Sequence, residues 1–158
     1  MAKKQSWREY LNGVEEKIHK ITPEWEEKLG NGNILIPAPK DIERIIKLVG
    51  KGKLITVDMI REQLAKEKGV RLTAAAPTSI YLKKIALASE EEEQLNNKEI
   101  TAYWRVLKAN GLVNEKFPGG LEKQQALLQQ EGHQIELFGK RKKVPKVVDY
   151  EKCLVDLK

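Results

Sequence analysis

The chain has 158 residues and a mass of 18.0 kDa, the size of one domain. Hydrophobic residues make up 41% and charged residues 33%, a globular balance and not a disordered one. The net charge is +6, and one cysteine with two histidines excludes an internal disulfide framework and leaves too few ligands for a structural zinc site.

The positive charge is concentrated. Residues 1–35 and 101–138 are each balanced, while 36–88 hold eleven basic against five acidic groups. Residues 89–100 hold one against five, and 139–158 hold seven against three. A concentrated basic stretch points to an anionic partner. No apolar run reaches the roughly 20 residues needed to span a bilayer, so no membrane partner is expected. Met1-Ala2-Lys3-Lys4 is not followed by an apolar signal core, which predicts a cytoplasmic protein.

Trp7, Leu11, Val14 and Ile18 recur at helical spacing and predict a first helix, interrupted only by Gly13. Thr22-Pro23 reads as a cap and first turn of a short helix through Trp25 that ends near Gly30. Trp7 and Trp25 are expected to anchor this segment on the domain. Ile34-Leu35-Ile36 predicts a short strand closed by Pro37 and Pro39. Ile42, Ile45, Ile46 and Val49 then mark an amphipathic helix. Leu54 to Val57 is an extended entry. Asp58 is expected to cap a second helix with Met59, Ile60 and Leu64 inward, stopped by Gly69.

Pro77 is placed to open a third helix running to about Ala88. Tyr81, Ile85 and Ala88 form its apolar face. Thr78, Ser79, Lys83 and Lys84 lie on the other, as candidate contacts to DNA phosphates and groove edges or as a plain solvated face. The polar, acidic segment Glu90–Asn97 reads as a solvated helix end and loop, and its run Glu90–Glu93, which would repel a phosphate backbone, should face away from any DNA. Tyr103 to Lys108 predicts a strand, Asn110-Gly111 a hairpin turn, and Leu112-Val113 the return. Phe117-Pro118-Gly119-Gly120 is a tight loop before a helix from Leu121 to Gln130. The basic run Lys140-Arg141-Lys142-Lys143 reads equally as a nucleic-acid tail or a solvated connector.

The predicted fold is mainly α with a small β-hairpin. It is a winged helix-turn-helix domain over 38–138. A short N-terminal helical extension, 1–37, precedes it, and a basic C-terminal tail, 139–158, follows it.

The run Ile100-Thr101-Ala102-Tyr103-Trp104-Arg105-Val106, then Asn110-Gly111, then Asn114-Glu115-Lys116-Phe117-Pro118-Gly119-Gly120-Leu121, then Leu127-Leu128 and Glu131-Gly132, resembles the DNA-binding C-terminal domain of the alkylguanine–DNA alkyltransferases. The resemblance covers about Ile42 to Ile135, and in lacking room for a further N-terminal domain the chain is similar to the small alkyltransferase-like proteins. The family's motif is Pro-Cys-His-Arg. A cysteine thiolate takes the alkyl group from the guanine oxygen, with histidine and an orienting glutamate as the base system. Here the four positions read Ala102-Tyr103-Trp104-Arg105, with Glu131 in the glutamate position.

A phenol with a pKa near 10 is a poor nucleophile toward an alkyl carbon. An indole N–H is a donor only and cannot act as the base. The resemblance therefore implies binding without catalysis: no catalytic residue, metal or cofactor. Cys153 lies far beyond the motif. Ala75 stands where the family inserts an arginine into the base stack, and Val57 where it uses a tyrosine. Tyr103, Trp104, Arg105, Phe117, Pro118, Gly119 and Glu131 are the implied lesion pocket, or Tyr103 and Trp104 simply fill the space of the old reactive centre.

The expected partner is double-stranded DNA with alkylated guanine as the lesion, handed on to repair proteins by a monomer on the nucleoid. A protein-interaction module on the same scaffold, without lesion recognition, is the alternative.

Overall fold

In the computed structural model, which describes residues 6–97, 99–141 and 143–157, helix α1 (Trp7–Asn12) starts at Ser6. The Ser6 Oγ accepts from the Glu9 N–H at 3.1 Å. Met1-Ala2-Lys3-Lys4 and Lys142 lie outside the described residues. The expected continuation of α1 to Ile18 does not form. The helix stops at Gly13, and Lys17–Lys20 is a strand, β1. Pairing outcompetes the helix here, because β1 runs antiparallel to β2 (Asn33–Ile36) with Ile18 opposite Leu35. Between them α2 (Pro23–Leu29) has its proline in the first turn and ends at Gly30, as its sequence predicts. Its Trp25 is not an anchor, however: it is 53% exposed.

Helix α3 (Pro39–Ile46) buries Ile42, Ile45 and Ile46, and Val49 follows them inward. Strand β3 (Ile55–Thr56) feeds directly into α4 (Val57–Lys68). The cap is Thr56, whose Oγ1 accepts from the Met59 N–H at 3.2 Å, two residues ahead of the predicted Asp58. Gly69, at φ 64°, closes α4 in a left-handed conformation that a side chain would strain. Strand β4 (Leu72–Thr73) then pairs in parallel with β2, giving a three-stranded sheet in the order β1-β2-β4. The N-terminal segment is thus part sheet, and it is hydrogen-bonded to the connection that leads into α5 (Ala75–Gln94).

Helix α5 is longer than predicted and includes the acidic run Glu90–Glu93. Carboxylates at a helix C-terminus oppose the macrodipole, and here tertiary partners offset the cost. The Trp7 N–H donates to Glu91 at 2.8 Å, Arg8 Nη2 donates to Glu92 at 2.8 Å, and Lys123 pairs with Glu90. The acidic run therefore holds α1 and the later helix α6 (Gly120–Gln130) against α5.

The strand predicted from Tyr103 is mostly a 3-10 turn, Tyr103–Arg105, and only β5 (Val106–Leu107) is extended, parallel to β3. The Asn110-Gly111 turn forms with φ of 64° and 81°, and the Lys108 N–H reaches Leu112 O at 2.9 Å. The clear hairpin lies further on, where β6 (Ile135–Phe138) pairs antiparallel with β7 (Val144–Val147). Residues 144–155 are therefore not a tail. Val147 is buried, the Val113 N–H donates to Pro145 O at 3.0 Å, and the Val155 N–H donates to Leu54 O at 2.8 Å. The apolar residues of this segment dock it despite its charge.

Two cores result. The larger packs α3, α4 and α5 around Ile45, Leu64, Ile85, Tyr103 and Phe117. The smaller joins Leu54, Leu107, Val113, Leu128 and Val147.

Candidate nucleic-acid interface

The exposed side of α5 separates the four predicted contact residues. Thr78 is fully buried, and its hydroxyl donates to Ala74 O at 2.7 Å, so it is not a surface contact. Its short side chain satisfies the preceding turn instead. Ser79 and Lys83 are exposed. Lys84 is half-buried; its Nζ donates to the Tyr10 hydroxyl at 2.9 Å and lies 4.5 Å from the centre of that ring. Ser79, Lys83 and Lys84 share a groove of about 640 Å³ with Trp7, Ile80, Leu87 and Lys116. The groove therefore joins α5, the start of α1 and the loop before α6. Three ammonium groups set beside an indole and two aliphatic side chains suit a phosphate chain that carries flat apolar groups.

The residues that the resemblance aligns with the family's reactive positions lie inside. Tyr103 and Phe117 are each 2% exposed, with ring centres 5.2 Å apart in an edge-on contact, and the Trp104 ring packs edge-on at 5.5 Å from Tyr103. The Tyr103 hydroxyl donates to Glu90 at 2.7 Å. Burial and the Glu90 carboxylate both push this phenol well above its ordinary pKa. In this packing the ring surface is covered, and Tyr103 and Phe117 offer no open platform. Of the predicted lid loop, Pro118 is half-buried and Gly119 exposed, at the turn into α6.

Arg105 and Glu131 form a half-buried clamp. Arg105 Nη2 and Nε donate to Glu131 at 2.8 and 3.0 Å, and Nη1 donates to Val49 O at 2.6 Å. Burial alone would raise the Glu131 carboxyl; the Arg105 guanidinium outweighs it and holds the pKa below the usual range. The Trp104 Nε1–H is buried and makes no hydrogen bond of its own. The pair ties the ends of α3 and α6 to the 3-10 turn, a positioning role.

Sequence reasoning missed three residues that build this region. Lys116 completes the groove. Gln124 is buried; its Nε2 donates to Trp104 O at 3.0 Å and Val106 O at 3.1 Å, and its Oε1 accepts from the Asn114 N–H at 2.7 Å. The available signal was a polar residue in the apolar register Leu121, Gln124, Leu128. Glu43 is buried and accepts from Arg8 Nη1 and Nη2 at 2.5 and 2.7 Å and from Thr101 Oγ1 at 2.5 Å. Burial pushes its carboxyl up, and these donors more than reverse the effect. Nothing in local sequence marks an arginine 35 residues away as its partner.

Cys153 is half-buried against the smaller core, and its carbonyl accepts from the Leu54 N–H at 2.8 Å. Among the described residues no group of three or more His, Cys, Asp or Glu is placed to hold a metal ion. No described helix is long and apolar enough to cross a membrane.

No protein-family model and no curated protein matches the chain. Among solved structures the chain is similar to Atl1 of S. pombe, crystallised in complex with damaged DNA containing O6-carboxymethylguanine. The identity is 14% and the TM-score 0.49, over 75% of this chain and 94% of that one.

Proposed function

We propose that this chain is a non-enzymatic, alkyltransferase-like DNA-binding protein that takes part in the recognition or repair of alkylated guanine. The observation that carries the reading is the groove on α5, where Lys83, Lys84 and Lys116 converge beside Trp7 and Ile80. In this reading α4, the connection 69–74 and α5 act as the helix-turn-helix, with α5 presented to duplex DNA. The segment around Asn110-Gly111 is the wing.

The chemistry of the reactive positions supports binding without transfer. Tyr103 stands where the thiolate belongs and is held protonated by burial and Glu90. Trp104 stands where the base belongs and has no lone pair to accept a proton. DNA held here leaves unaltered, so the protein acts by marking or presenting it to repair proteins, in the cytoplasm and on the nucleoid. With Tyr103 and Phe117 packed, contact to the lesion falls to Lys116 in the groove and to the turn Pro118-Gly119 that follows it into α6.

A second reading rests on another surface. His19, Ile21, Trp25, Leu29 and Ile34 line an apolar concavity of about 340 Å³ beside edge strand β1, which suits a protein partner. Fluorescence anisotropy with a plain duplex and the same duplex carrying one O6-alkylguanine separates the readings. Affinity is expected to fall steeply with salt, and Lys83→Glu with Lys116→Glu to weaken it at least tenfold. Salt-independent affinity removes the DNA reading. Equal affinity for the two duplexes removes lesion recognition alone.

A further inference from the structure

The β6–β7 ribbon is anchored at its base and bare at its tip. Val147 is buried at the base, and the Val148 N–H donates to Gln134 O at 2.9 Å. At the tip Leu137 and Phe138 are 64% and 61% exposed, and Lys140, Arg141 and Lys143 are all exposed. Lys146 Nζ lies 4.9 Å from the centre of the Phe138 ring. From Gly139 to Lys146 the sequence has five basic residues and no acidic one. The only carboxylate on the strands, Glu136, stands opposite Lys146 in the register, back from the tip. A polyanion therefore meets the tip first.

Two classes of polyanionic surface attract an aromatic ring ringed by cations: nucleic acids and acidic bilayers. Neighbouring residues on a strand point to opposite faces, so Leu137 and Phe138 cannot enter an acyl layer together. A nucleic-acid strand makes no such demand. It needs one open ring for a base and cations spaced along its phosphates.

We infer that the β6–β7 ribbon is a nucleic-acid contact in its own right, in which Lys140, Arg141 and Lys143 hold phosphates and Phe138 receives an unstacked base. It extends the bound surface beyond α5 and favours single-stranded or locally opened sites. The inference does not depend on the α5 groove, because its residues and its expected strand preference are different.

The test uses the full chain with a labelled twelve-nucleotide oligo-dT and a mixed-sequence duplex, each titrated between 50 and 200 mM salt. Lys140→Glu/Arg141→Glu/Lys143→Glu is expected to weaken both complexes at least tenfold and to flatten the log–log salt slope by about two to three. Phe138→Ala is expected to weaken the oligo-dT complex about five- to a hundredfold and leave the slope unchanged. All four positions are exposed, so thermal melts should match the parent. If the triple variant melts early, the glutamine versions replace it. Unchanged oligo-dT affinity in either variant overturns the inference. Binding to phosphatidylserine vesicles that is lost in both variants, with oligonucleotide affinity intact, assigns the ribbon to lipid and overturns it too. Weakened DNA binding by Lys83→Glu with Lys116→Glu alone speaks to the α5 groove and leaves the ribbon result standing.

Discussion

Tyr103 donates its hydroxyl proton to Glu90 across 2.7 Å. The bond links the 3-10 turn to the acidic end of α5, whose other carboxylates hold Trp7 and Arg8. Packing of Tyr103 and attachment of the N-terminal helix therefore use one structural device, the acidic end of α5.

Removing that hydroxyl should cost stability and nothing else. Tyr103→Phe leaves Glu90 with Lys123 as a partner, so the expected loss is about 1–2 kcal/mol in urea unfolding with an unchanged slope. Tyr103→Cys should not confer alkyl transfer, because a buried thiol beside Trp104 has no base to ionise it. Incubation with a labelled O6-alkylguanine oligonucleotide checks this. Label appearing on residue 103 would show that the site supplies a working base.

The Arg8–Glu43 pair sets an acid limit on stability. The folded pKa of Glu43 lies below its ordinary 4.5, so the pair's contribution is complete above the unfolded pKa. It is lost as pH falls through the lower folded value. Arg8→Ala reverses the sign by leaving a buried carboxylate without its cation. That should cost about 3 kcal/mol at pH 7, and less at pH 3, because burial without Arg8 pushes the Glu43 carboxyl up and favours its neutral form. Equal destabilisation at the two pH values, read from urea midpoints, would show that Arg8 acts through packing alone.

Some of this fold was legible because its signals are local. The 3–4 spacing of Ile42, Ile45 and Ile46, the proline of α2, Gly69 and the Asn110-Gly111 turn each encode their element within a few residues. Strand β1 was hidden because its stability comes from β2, more than a dozen residues on, while its own sequence offers one isoleucine. The extent of α5 was hidden for the same reason: acidic residues at a helix end look like a stop until Arg8 and Lys123 arrive. At the site, exposure was the missing quantity. Ser79 and Lys83 are where the helical period places them, but Thr78, one residue away, is turned into the core. Lys116 enters the groove only through a loop whose path no period predicts.

The docked C-terminal segment should be felt at the turn it covers. Gly111 has a φ of 81°, and a Cβ there would stand 2.5 Å from the Tyr150 ring. Gly111→Ala should therefore cost about 2–3 kcal/mol, part backbone strain and part collision. Tyr150→Ala should remove the collision and not the strain, so the double variant is expected to couple by about 1 kcal/mol or more. Strict additivity in the cycle would mean that Tyr150 does not rest on the turn.

Two of the three tryptophans report on the two competing surfaces. Trp7 lines the α5 groove, and Trp25 lines the concavity beside β1. With Trp104→Phe and Trp25→Phe, emission comes from Trp7 alone, and duplex DNA should quench or shift it. With Trp104→Phe and Trp7→Phe, emission comes from Trp25, and the same duplex should leave it unchanged. The Trp7 response should disappear in high salt, because phosphate contacts by Lys83 and Lys116 bring the duplex to the ring. A response from Trp25 alone would place the partner on the β1–α2 face. The groove would then be a solvated helix side, and the reading of α5 as the DNA-contacting helix would fall.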